Sequence, residues 1–121
     1  MRVIRVVAPD PNWQESYATE AARIMGALDD IVAAAHHIGS TSIPGIYAKP
    51  TIDILLVVDD LDALDAGSPA MVQLGYEVMG AYGIPGRRYF RKIDQQGNHT
   101  HHVHAFQVDH PATKRPEQDG R

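Results

Sequence analysis

Asp53 is the only charged residue in the apolar run Thr51–Val58. A carboxylate in such surroundings is costly unless it meets hydrogen-bond donors, a cation or a metal ion. Just upstream, His36–Ser42 reads HHIGSTS. At Gly39 the missing side chain lets the backbone approach a ligand closely. The hydroxyls of Ser40, Thr41 and Ser42, with the local N–H groups, could then hold a phosphate at a helix start. Alternate residues of a strand share a face, so Thr51, Asp53 and Leu55 point one way. Asp53 is the candidate catalytic base or metal ligand beside a phosphate-binding turn. Its structural alternative is a carboxylate paired with Lys49 or hydrogen-bonded to a nearby loop.

The chain has seven histidines and no cysteine. Disulfides, thiolate metal sites and cysteine nucleophiles are therefore excluded. His99, His101, His102 and His104 lie within six positions. On a strand, His102 and His104 share one face while His101 and Val103 share the other. Two imidazoles so spaced can bind one cation or flank one phosphate. If that strand lies beside Thr51–Val58, then Asp53, His102 and His104 converge as a carboxylate and two imidazoles. Such a set suits zinc, manganese, iron or nickel better than magnesium, which prefers oxygen. His99 and His101 read as surface residues flanking a turn, and His37 as a hydrogen-bonded core residue. Arg87, Arg88, Arg91 and Lys92 follow a Pro-Gly turn. A guanidinium can grip phosphate through two N–H groups, whereas strand edges also carry such residues for solubility. Arg87 and Arg91 share one face, Arg88 and Lys92 the other, so one of Arg88 and Arg87 would meet the anion. Arg88 is taken as that ligand, with Lys49 as a further phosphate neutraliser.

The elements that must position these groups follow from pattern. Val3–Val7 reads as a short strand, and Asp10-Pro11 as a helix cap and first helical position. Tyr17, Ala21, Ile24, Leu28 and Ile31 fall on one helical face, which predicts a helix from Pro11 to Ala34. Ala35–Ile38 then forms a short strand into the Gly-Ser turn, and Pro44 and Gly45 limit Ser42–Ala48 to a loop or short helical turn. Thr51–Val58 reads as a central strand covered on both faces. Asp59, Asp60 and Asp62 favour a helix start, but Gly67-Ser68-Pro69 breaks the following pattern into a kinked helix or two short ones. Tyr76–Met79, Arg87–Ile93 and His101–Val108 complete the strands, with Gly80–Gly86 a loop and Gln95–Asn98 a hairpin turn. The order predicts a single α+β domain (α/β mixed) over residues 1–110, a mixed sheet flanked by helices, and a polar tail at 111–121.

Composition narrows the function classes. Of 121 residues, 44% are hydrophobic and 21% charged, which suits one soluble core. A net charge of −4 argues against bulk nucleic-acid binding. No apolar run is long enough for a membrane helix, and the start MRVIRVV lacks a signal-peptide layout. A cytoplasmic location and no membrane partner are expected.

The run HIGSTSIPGIYAKPTIDILL resembles the signature of the GrpB family. The likeness continues in APDPNW, LGYEVMG, PGRRYF and HHVHAF, so it extends from Val3 to Phe106. The family is placed in the nucleotidyltransferase superfamily, with a polymerase-β-like fold. That placement implies a mixed sheet with helices, a Gly-Ser turn for nucleotide phosphates at Gly39 and Ser40, and a metal-strand acid at Asp53. Active members carry two acids separated by one residue, and here the partner position is Thr51. Two-metal transfer needs a cage of carboxylates, so one ligand is missing, and His102 or His104 would fill the third-acid position. Some members are fused to dephospho-coenzyme A kinase, which implies nucleotide-related work. Members usually continue for several helices beyond the histidine segment. The resemblance therefore implies a shortened or altered end, with exposed apolar surface that favours a homodimer.

Two functions follow as expectations. One is metal-assisted nucleotidyl or phosphoryl transfer to a small molecule, using a divalent ion (Mg, Mn or Zn). The other is a non-catalytic module that keeps the fold and binds a nucleotide or metal.

Overall fold

The computed structural model describes residues 5–114. The chain starts with a single antiparallel bridge between Val7 and Ala48; part of the expected strand Val3–Val7 lies outside the described residues. Helix α1 spans Asn12–Leu28 and buries Trp13, Ala21, Ile24 and Leu28. It is shorter than its periodicity predicts. Asp29 turns the chain at φ 54°, Asp29–Ile31 forms a 3-10 turn, and strand β1 begins at Val32 and runs to Ile38. The alanines Ala33–Ala35 favour helix locally, but pairing with the next strand draws them into the sheet.

After a 3-10 turn at Ser40–Ser42 comes β2, Ile52–Val58. Two short helices follow, α2 (Leu61–Ala66) and α3 (Ser68–Gln73), with the Asp60 carboxylate capping α2 by accepting from the Asp62 N–H. Then come β3 (Tyr76–Gly80), β4 (Arg87–Ile93) and β5 (His99–Gln107). The five strands form one α+β sheet in the order β1-β2-β5-β4-β3. Only β2 and β5 run parallel; the other neighbours are antiparallel. The last described turn, Pro111–Thr113, is 3-10, and residues 115–121 of the expected tail lie outside the described residues.

One sheet face carries the helices. Ile52, Ile54, Leu56 and Val58 of β2, Phe90 of β4, and Val103 and Ala105 of β5 pack there with Ile24, Leu64 and Met71. Strand alternation then turns Asp53, Leu55 and Val57 to the opposite face, where Leu55 and Val57 meet Phe106. No helix among the described residues is long and apolar enough to cross a membrane.

Beneath the helix layer lies one buried carboxylate, Glu20, only 4% exposed. Tyr76 Oη donates to its Oε2 (2.7 Å), Lys92 Nζ donates to the same oxygen (2.6 Å), and Arg23 reaches Oε1 at 3.2 Å. Burial alone would push the Glu20 carboxyl up; hydrogen bonds from Lys92 and Tyr76, with the Lys92 charge, hold it below the usual carboxylate range. This cluster ties α1 to β3 and β4. Lys92→Met should therefore lower stability by about 3 kcal/mol at neutral pH, because a buried carboxylate loses its cation. Urea unfolding measures it, and the loss should shrink when Glu20→Gln is also present.

Candidate active site around Asp53

The register of β2 against β5 assembles the site. Asp53 pairs with His102 and Leu55 with His104, so their side chains rise from one face of the sheet. Asp53 Oδ1 stands 3.4 Å from His102 Nδ1 and 3.7 Å from His104 Nε2. Burial would raise the Asp53 carboxyl, but hydrogen bonding and charge from His102 and His104 outweigh it and hold the group at about 2. The carboxylate is therefore ionised throughout the neutral range.

Gly39 closes over the same carboxylate. Its φ is +76°, and a Cβ built there would stand 2.6 Å from Asp53 Oδ2. Only glycine satisfies both the backbone sign and the lack of space. The Ser42 hydroxyl donates to the Gly39 carbonyl, tightening the turn. Ser40 is exposed beside it and lines an open cavity of about 750 Å³ together with Gly39, Ser42, Arg87 and His104.

Three further positions differ from the sequence-based expectation. Thr41 is 5% exposed, its hydroxyl meets His37 Nε2 at 2.9 Å and the Thr51 carbonyl at 3.3 Å. It braces the turn from the inside instead of offering its oxygen to a phosphate. Arg88 sits on the helix face and forks onto Asp65 of α2, Nε to Oδ1 at 2.7 Å and Nη2 to Oδ2 at 3.0 Å. Strand parity turns Arg87, not Arg88, toward Asp53. Lys49 is exposed on the segment leading into β2 and does not line the cavity.

Arg87 is the residue that sequence reasoning kept only as an alternative. Its Nη1 lies 3.3 Å from His104 Nδ1. A guanidinium has donors only, so His104 Nδ1 must accept and the His104 proton sits on Nε2, facing Asp53. A metal-binding imidazole needs a bare nitrogen toward the ion and commonly donates through the other. In this arrangement His104 is an N–H donor and does not meet that need. His102 Nδ1 faces Asp53 and is the nitrogen that hydrogen-bonds the carboxylate; its Nε2 lies 2.9 Å from His99 Nδ1, so a proton moved to Nε2 would free Nδ1 for an ion. Among the described residues no group of three or more His, Cys, Asp or Glu side chains is placed to hold a metal ion. Asp53, His102 and His104 together do not form such a group.

His99 is brought to His102 by a register shift between Lys92 and Ile93, an irregularity that strand alternation does not foretell. His101 is half-buried on the helix face near Tyr76, and burial lowers its pKa against the opposing charge of Glu20. His37 is buried, stacks on Tyr17 at 4.8 Å and contacts Gln14 at 3.1 Å; burial lowers its pKa, against the charge of Asp53. The partner-acid position, Thr51, donates its hydroxyl proton to the His99 carbonyl at 3.0 Å.

The GrpB family model, described as GrpB protein, matches residues 3–117. The chain belongs to the GrpB family. The crystal structure of conserved protein GrpB from Enterococcus faecalis superposes with a TM-score of 0.85 at 38% identity, over 90% of this chain and 65% of that one. "UPF0157 protein YqkA" of Bacillus subtilis is 39% identical over 94% of this GrpB chain and 33% of its own length. A dephospho-CoA kinase of Mycolicibacterium paratuberculosis is 33% identical over 60% of this chain and 19% of its own. This GrpB chain thus spans a third to about two thirds of the length of the GrpB-type proteins it matches here.

Two outcomes test the site geometry. Gly39→Ala should cost on the order of 1–2 kcal/mol more than Gly45→Ala, read by urea unfolding. Both glycines have positive φ, but Gly45 has open space where Gly39 meets Asp53. The Asp53 carboxyl is lower in the folded chain (about 2) than its ordinary 3.8, so its stabilisation is complete above about pH 4 and lost as pH falls toward 2. That difference corresponds to roughly 2 kcal/mol. Asp53→Asn should remove this part of the acid sensitivity in unfolding curves from about pH 5 to about pH 2.

Proposed function

We propose that this chain binds a phosphorylated small molecule or nucleotide in the cavity beside Gly39 and supports metal-assisted transfer of a phosphoryl or nucleotidyl group to a small acceptor. The observation that carries the reading is the convergence of Gly39, Asp53, His102 and His104 on one sheet face, with Gly39 and His104 lining an open cavity. Gly39 and Ser40 present exposed backbone and a hydroxyl to an incoming phosphate. Asp53 Oδ1 and His102 Nδ1 would hold one divalent ion, and mixed carboxylate and imidazole donors favour manganese or zinc over magnesium. Such an ion, when bound, would neutralise phosphate charge and polarise the phosphoryl oxygen. His104 keeps its Nε2 proton toward the carboxylate and so can donate a hydrogen bond to a phosphate or acceptor oxygen. The dephospho-CoA kinase that matches part of the chain belongs to the same reaction class by name.

A second reading, a binding module without turnover, is favoured by Thr51. Its hydroxyl is committed to the His99 carbonyl, so the position supplies no second carboxylate for a two-metal cage. Titrating ATP and other triphosphates with Mg²⁺, Mn²⁺ or Zn²⁺ separates the two. Transfer predicts product whose rate falls at least about 100-fold in Asp53→Asn; the module predicts saturable binding with no product. Absence of binding with every metal would end both.

A further inference from the structure

Arg87 is buried to 7% exposure and has no acid within ion-pair distance among the described residues. Its neighbours on β4 are different. Arg88 pairs with Asp65, Arg91 with Glu77 and Lys92 with Glu20. The cation most removed from water is therefore the one left without an anion. Burying a charge is unfavourable unless something compensates it. What Arg87 has are neutral partners: the Ala81 carbonyl (3.2 Å from Nε), the Tyr82 carbonyl (2.9 Å from Nη2), His104 Nδ1, and the face of Tyr89 at 4.8 Å. These take three of its five N–H groups.

The loop that supplies those carbonyls is bent to do so. Gly80, Tyr82, Gly83 and Gly86 all have positive φ, and Tyr82 at 48° adopts that conformation despite its Cβ. A non-glycine residue held there costs of order 1 kcal/mol or more. The loop thus fixes the guanidinium at the wall of the cavity of about 750 Å³. Lys114, Ser40 and Ser42 line the same cavity, while Leu55, Ile38 and Phe106 give it apolar surface. A sugar or polyol would find few hydrogen-bond partners on that apolar wall.

We propose that Arg87 and Lys114 form the anion subsite of this cavity, and that its ligand is a phosphate monoester whose remaining part is apolar, aliphatic or aromatic. The phosphate lies between the two cations and the exposed Ser40 hydroxyl, and the apolar group rests on Leu55 and Phe106. This rests on the cavity being the ligand site of the preceding reading, and it replaces an unspecified small molecule with one chemical class.

The test is calorimetric titration of the full chain with inorganic phosphate, glucose 6-phosphate and phenyl phosphate, repeated on Arg87→Lys, Lys114→Ala and Ser40→Ala. The expected result is phenyl phosphate binding at least 10-fold tighter than the other two, weakened at least 10-fold by Arg87→Lys and several-fold by Lys114→Ala. Arg87→Lys keeps the charge and loses the fork; Lys114 is exposed, so its variant keeps the inference testable if the Arg87 variant fails to fold. Equal or tighter binding of glucose 6-phosphate overturns the apolar class while leaving a phosphate site intact. Phenyl phosphate binding that neither Lys114→Ala nor Arg87→Lys changes overturns the subsite. If no phosphate compound binds and ATP with metal does not either, the preceding reading fails as well.

Discussion

A charge seated in mid-sheet has to be solvated by its neighbours, and at Asp53 those neighbours come from three separated stretches of chain. Gly39 gives up a side chain so that Oδ2 has room, and β5 brings His102 and His104 to Oδ1. Behind them, Arg87 dictates which nitrogen of His104 carries the proton. Turn, parallel strand pair and buried arginine all follow from keeping that carboxylate ionised in a half-dry place. Remove its charge and each of those features loses a reason to be there.

The fold treats its buried Glu20 and its half-buried Asp53 in opposite ways. Glu20 takes a phenol and a lysine on one oxygen and an arginine on the other. Such saturation suits a clamp between layers. Asp53 is held by imidazoles at 3.4 and 3.7 Å, beyond the range of strong hydrogen bonds. Its coordination is loose enough to be rearranged by a ligand. Glu20 is thus locked in place, whereas the contacts of Asp53 leave room for exchange.

Much of this was legible in residue order. Strand alternation correctly set Asp53 with Leu55, and His102 with His104, and the apolar run of β2 announced a strand buried on both sides. The Gly67-Ser68-Pro69 break left a kinked helix and two short ones both open, and the structure has the two short helices α2 and α3. Periodicity overran the end of α1 as far as Ala34 because Ala33 and Ala34 are good helix formers, and the pairing of Ala34 with Val57 draws that segment into the sheet. Choosing between Arg87 and Arg88 required knowing which face of β4 meets the helices, which parity alone leaves open. Thr41 looked like a phosphate ligand because a hydroxyl beside a Gly-Ser turn carries no sign of direction; His37 decides it by pulling that oxygen inward. The His99–His102 contact depends on a register irregularity, and such slips leave no pattern to read.

Strand β5 comes last in the sheet's chain order yet occupies its centre, between β2 and β4. Before it arrives, β1 with β2 and β3 with β4 are two separate ribbons, each presenting an open hydrogen-bonding edge. The strand that welds them is also the one carrying the imidazoles. Completing the sheet and bringing the imidazoles to Asp53 are consequently a single event, gated by long-range contacts that close late because of their loop entropy. Until β5 slots home, Asp53 would have neither His102 nor His104 beside it, and any fluctuation that unzips that strand would strip the carboxylate of both imidazoles and split the sheet together.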